Sequence, residues 1–193
     1  TLEITKAPLT VTAKSAEKVY DGKALTANTC EVKGSLAKGH KISATVTGSQ
    51  TQIGSSKNKA SNVKIVDANG NDVTANYNIT YSGAEVTVSK YSGEVVITAK
   101  DATKPYDGSA LTASNDVTVS GLLGTDTVEA KVSGEATVPG KDGTAKVDSY
   151  VIKNAAGEDV SGNYGNVKLT DGKLTVTKRD ITVTTGSASK AYD

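Results

Sequence analysis

Phenylalanine, tryptophan and methionine are absent from the 193 residues, and cysteine and histidine occur once each. A single cysteine, Cys30, excludes an intrachain disulfide and a paired-cysteine metal site. A single histidine, His40, leaves a histidine zinc centre or a histidine-dependent triad without its partners. Lys and Arg number 22 against 21 Asp and Glu, a net charge of +1, so no field of one sign points to nucleic acid or an anionic membrane. No window approaches the roughly 18 apolar residues of a membrane span. Three prolines against 19 glycines argue for tight turns and against a proline-rich linker. The start, Thr1-Leu2-Glu3-Ile4, has neither a methionine nor a signal-peptide pattern and reads as part of a longer protein.

What fills the sequence is threonine (26) and valine (22), about a quarter of the chain, with eight tyrosines as its only aromatics. β-Branched residues favour pleated strands. A Phe-free apolar complement suits two thin-cored domains better than one large one.

The chain also repeats itself. Lys18-Val19-Tyr20-Asp21-Gly22 returns as Lys104-Pro105-Tyr106-Asp107-Gly108, and Lys190-Ala191-Tyr192-Asp193 begins a third copy, an interval of 86 residues each time. Leu9–Lys14 matches Val95–Lys100, and Ala24–Ala27 matches Ala110–Ala113. After one inserted residue, Asp67–Tyr77 pairs with Asn154–Tyr164, and after a second, Val86–Lys90 with Leu174–Lys178. The resulting organisation is the last strand of one repeat (1–6), two complete repeats (7–90 and 91–178) and the first strand of another (179–193).

Within a repeat, period-2 alternation predicts strands around Leu9/Val11/Ala13, Ile42/Ala44/Val46, Val63/Ile65, Tyr77/Ile79/Tyr81 and Val86/Val88. A weaker segment at Ala27–Val32 brings the total to about six short strands. At the 86-residue offset Val117 and Val119 face Glu31 and Lys33, a mismatch that a bulge or register slip would repair. Asp67-Ala-Asn-Gly70 and Asn154-Ala-Ala-Gly157 read as hairpin turns with glycine at positive φ. The predicted fold is all-β: two small tandem domains, each a β-sandwich or a helix-poor β-grasp-like unit. Junctions of about five residues or fewer leave little freedom to swing, so the expected arrangement is an end-to-end rod.

Lys-x-Tyr-Asp-Gly-x-x-Leu-Thr-Ala, the Asp-Val-Thr/Ser-x-Asn-Tyr segment and a closing Leu-Thr-Val-Thr-Lys together resemble the Tyr-Asp-Gly (YDG) repeats of bacterial surface proteins, related to the mostly-β-grasp repeats. The likeness covers both complete copies. It implies an extracellular, wall-anchored protein of the Gram-positive type, with non-catalytic repeats serving as the stalk of an adhesin. The repeat-motif positions are Tyr20, Asp21, Gly22, Asn76 and Tyr77, with Tyr106, Asp107, Gly108, Asn163 and Tyr164 in the second copy.

Candidate chemistry is sparse. Asp67-x-Asn69-Gly70-Asn71-Asp72 has the look of a calcium loop but lacks the bidentate glutamate that closes one, so a plain turn is expected. Lys18/Lys104, Asp21/Asp107 and Asn76/Asn163 supply the residue types of a self-formed Lys–Asn crosslink, yet nothing in their spacing brings them into one apolar pocket. The recurring tyrosines are expected to be buried with the hydroxyl partnered, with sugar stacking as the sharper option. His40 becomes Asp126, and Cys30 becomes Asp116, which argues against a shared role for either. No paired carboxylates, nucleophile–base pair or metal cluster recurs, so no enzyme, cofactor or metal is expected. The expected partners are neighbouring repeats of the same, otherwise monomeric, chain. The alternative is a glycan- or host-protein-binding module acting through Gln50–Lys59 and Ala136–Thr144, where the copies differ.

Overall fold

The computed structural model describes residues 2–192; Thr1 and Asp193, at the outer ends of the two flanking segments, lie outside it. The first repeat contains β1 (Ala7–Ala13), β2 (Ala16–Val19), β3 (Cys30–Gly34), β4 (Lys41–Thr47), β5 (Gly54–Val66), β6 (Tyr77–Ser82) and β7 (Ala84–Ser89). The second contains β8 (Tyr91–Ala99), β9 (Ala102–Pro105), β10 (Leu111–Thr112), β11 (Val117–Ser120), β12 (Thr127–Ser133), β13 (Glu135–Ala136), β14 (Gly143–Lys153), β15 (Tyr164–Thr170) and β16 (Gly172–Thr177). The fold is all-β. Among the described residues helical geometry is confined to two 3-10 turns, Thr74–Asn76 and Ser161–Asn163, and no helix is long and apolar enough to cross a membrane.

Both repeats use one topology. Strand orders β3-β1-β6 and β2-β7-β5-β4 recur as β11-β8-β15 and β9-β16-β14-β12, and the isolated bridge Leu25–Gln50 recurs as the two-stranded β10-β13. β1 runs antiparallel to β3 and parallel to β6; β2 runs parallel to β7, as β9 does to β16. The pattern exceeds the six strands expected. β2 and β9 carry no clear alternation of their own and are defined only by pairing with the last strand of the repeat. Val63/Ile65 is the end of a 13-residue strand, β5, which pairs with β7 through Gly54–Asn58 and with β4 through Lys59–Val66.

The mismatch at β3 is a register slip. Val11 and Ala13 pair with Val32 and Cys30, while Ile97 and Ala99 pair with Val119 and Val117. The structural counterpart of Cys30 is therefore Val117 rather than Asp116, because pairing with the central strand, not sequence spacing, sets the register.

In the first repeat Leu9, Val11 and Ala13 turn to one face of β1 and are at most 1% exposed. They pack with Ala60 and Ile65 of β5 and Tyr77 of β6, bordered by Val32, Ile42, Ala44 and Val46. This is a thin two-layer core, each large aliphatic contributing about 1.5–3 kcal/mol by burial. Val95, Ile97 and Ala99 are buried at the same parity of β8, and Ile152 of β14 and Leu174 and Val176 of β16 are buried too. Two compact units are distinguished. The first runs to Val95 and takes in Gly121–Thr127 and Ile152–Val167; the second comprises Val96–Ser120, Val128–Val151 and the residues from Lys168 onward. Residues 2–6 and 178–192, where a last and a first strand were expected, pair with no neighbouring strand and so form none, and Leu2, Ile4, Ile181 and Val183 are exposed.

Candidate functional site

The Tyr-Asp-Gly corner is built by its own residues. Asp21 Oδ1 accepts the backbone N–H of Lys23 at 2.9 Å, and the Lys18 ammonium donates both to that carboxylate and to the Lys23 carbonyl. Asp107 accepts the backbone N–H of Ser109 at 2.9 Å and its hydroxyl at 2.8 Å, while Lys104 donates to Asp107 at 2.9 Å and to the Ala110 carbonyl at 3.2 Å. The lysine hydrogen bond, followed by the backbone N–H, holds both carboxyls below the ordinary aspartate range, Asp107 more strongly. Gly22 and Gly108 turn the chain at φ of +77° and +86°. A Cβ at either would meet nothing within 4 Å, so the left-handed backbone and not crowding requires glycine. Both corners end on the last strand of their repeat: Tyr20 N–H donates to Ser89 O at 2.8 Å, and Tyr106 N–H to Thr177 O at 2.9 Å.

The Asn-Tyr segment is equally local. Asp72 caps Thr74 N–H at 3.0 Å, the Thr74 hydroxyl accepts the Ile65 N–H at 2.8 Å, and the 3-10 turn then delivers Asn76 and Tyr77. Asp159, Ser161 and the Ile152 N–H repeat this at 2.9 and 2.8 Å, delivering Asn163 and Tyr164. The Tyr77 hydroxyl accepts the Ala37 N–H at 3.0 Å and meets His40 Nδ1 at 2.7 Å. The Tyr164 hydroxyl accepts the Leu123 N–H at 3.2 Å and donates to Asp126 Oδ2 at 2.6 Å. His40 and Asp126 therefore share a task after all: different side chains partner the same tyrosine hydroxyl. An 86-residue offset combined with hydrogen-bonding capacity at both positions was the available signal.

Where the copies part is the surroundings. Within the first compact unit, the Tyr20 ring lies edge-on to Tyr164 with centroids 6.0 Å apart, and Tyr91 meets Tyr164 from another side at 5.7 Å. Asn163 Oδ1 accepts the Ile53 N–H at 3.1 Å and its amide donates to the Gln52 side chain. Tyr20 is 3% exposed and Asn163 3%. Their counterparts are open: Tyr106 is 42% exposed, contrary to the expected burial, and Asn76 is exposed. Burial, and then the hydrogen bond to Asp126, raise the Tyr164 phenol well above its ordinary value. Burial raises Tyr20 also, with Asn163 pulling the other way.

The residue types for a crosslink are not assembled. Each lysine is ion-paired inside its own corner, Asn76 faces solvent, and Asn163 bonds Gln52 and Ile53. The Asp67 segment is a turn, its carboxylate taken by the N–H groups of Asn69 and Asn71 and by the Asn71 amide, with Gly70 at φ +85°. Asn154 Oδ1 accepts the N–H groups of Ala156 and Glu158 in the same way, and only the side-chain pair is reversed, the Asn154 amide donating to the Glu158 carboxylate. Among the described residues no three acidic, His or Cys side chains gather as a metal site would require. Sequence reasoning missed Asn58, fully buried and donating to the Lys14 and Ala27 carbonyls at 2.7 and 2.8 Å. Strand register places Ala145 at its position in the second repeat, so repetition concealed it. Compared with known proteins, the chain matches no family model and no curated protein to a significant degree.

Proposed function

We propose that the chain is part of a tandem array of YDG-type repeats on a bacterial cell surface, acting without catalysis as the extended, load-bearing stalk of an adhesin. One observation supports this above the others. In the first repeat residues 7–19 run parallel to residues 77–89 over two successive sheets, through β1 with β6 and then β2 with β7. β9 and β16 repeat the second half of that pairing. Tension on the ends of a repeat enters at the start of one segment and leaves at the end of the other. The parallel ladder is then loaded in shear, and its hydrogen bonds must fail together rather than one at a time.

Two features fit an extended array. Lys90 alone separates β7 from β8, so the chain passes between repeats without a flexible spacer. Lysines and aspartates that are ion-paired or cap a turn in both copies suit a structural module better than a reactive one. Solution scattering is the test. An elongated particle is expected; a compact globule contradicts the stalk reading.

A further inference from the structure

The Tyr-Asp-Gly corner of one repeat and the Asn-Tyr turn of the next form the two halves of a seam, and each half also occurs unfilled. Tyr20 and Asn163 are both 3% exposed where the halves meet. Tyr106 is 42% exposed, and Val138, which the 86-residue offset sets at the position of Gln52, is 45% exposed. In the first repeat Asn76 is exposed although Tyr77 is held by the same kind of hydroxyl bonds as Tyr164. Because the corner and the turn are held by bonds within their own repeat, both open halves are already shaped for docking and need no rearrangement to receive a partner.

We propose that the Tyr106 corner, with Val138, is the docking site for the Asn-Tyr turn of the following repeat, and that the array grows by repeating this head-to-tail contact. A heterologous contact of this kind does not close on itself and extends for as long as repeats are supplied. The seam at Tyr106 is more apolar than the one at Tyr20. Val138 and Pro139 replace Gln52 and Ile53, and Pro139 has no N–H for an asparagine oxygen. Ring packing on Tyr106 and coverage of Val138 carry it instead.

The inference rests on the tandem-array reading. The test compares the 193-residue chain with a version in which residues 91–178 are repeated after Lys178, the added copy carrying Tyr106→Phe so that only the middle tyrosine reports. Each is nitrated with tetranitromethane and mapped by peptide mass spectrometry. In the present chain Tyr106 nitrates readily and Tyr20 does not. In the extended chain the Tyr106 rate falls about tenfold, towards that of Tyr20, because docking must open before the ring can react. An unchanged Tyr106 rate, with the Tyr164 peptide still protected to show that the added repeat is folded, overturns the proposal. If the added copy does not fold, an extension by residues 7–90 gives the same readout, and an unchanged rate there overturns it equally. Reactive Tyr106 in an elongated particle would defeat this inference alone; a compact particle with protected Tyr106 would defeat the stalk reading alone.

Discussion

The two Tyr-Asp-Gly corners share their ion pair, their Asp-capped turn and their positive-φ glycine, yet one tyrosine is buried and the other half exposed. The difference separates two kinds of structure. What the corner makes from its own residues is the same in both copies, whereas the burial of its tyrosine is supplied by residues more than a hundred positions away. Mutations that touch local features should therefore act alike in both corners, and mutations that touch the seam should not.

The largest contrast is expected at the tyrosines themselves. Tyr20→Ala should destabilise by about 3 kcal/mol through loss of a buried ring packed on Tyr164, and Tyr106→Ala by under about 1 kcal/mol. Urea unfolding of the two variants measures the gap, and equal losses would erase the distinction. Next come the asparagines. Asn163→Ala strands the Ile53 N–H and the Gln52 side chain and should cost about 1–3 kcal/mol, against about 0.5 kcal/mol or less for exposed Asn76→Ala. Gly22→Ala and Gly108→Ala should then cost the same, about 1–2 kcal/mol each, since both impose a left-handed backbone on a Cβ with open space around it. A marked inequality there would show that the corners are not locally determined.

The smallest effect concerns pH. Asp21 and Asp107 have carboxyls held below their unfolded values, so their contribution is complete above about pH 4 and is lost as pH falls through the lower folded-state values. Both corners should lose it in acid, Asp107 at the lower pH, as carboxylate NMR titrations would show. At the alkaline end the sign reverses. The Tyr20 and Tyr164 phenols are raised, so the stability they carry is whole below about pH 10 and is lost as pH climbs towards their folded-state values.

The all-β class, the hairpin turns at Gly70 and Gly157 and the buried parity of Leu9, Val11 and Ala13 were legible because each has a short-range signature, alternation or turn chemistry. β2 and β9 were not, because four residues such as Ala16–Val19 become a strand only by parallel pairing with a segment some seventy residues on. The slip at β3 announced itself as a mismatch, but its size came from pairing with β1. The seam was hidden for a related reason. Tyr20 and Tyr106 are the same residue in the same motif, and only a neighbour in space tells them apart. Asn58 was invisible because the second copy replaces it, and a search for recurrence discards what does not recur.

The most direct test of the load-bearing account is to pull the chain by its ends in a single-molecule force experiment. Two separate ruptures are expected, one per repeat, each releasing up to about 300 Å of chain, at forces typical of sheared rather than unzipped strands. Gradual extension at low force, with no pair of ruptures, would contradict it.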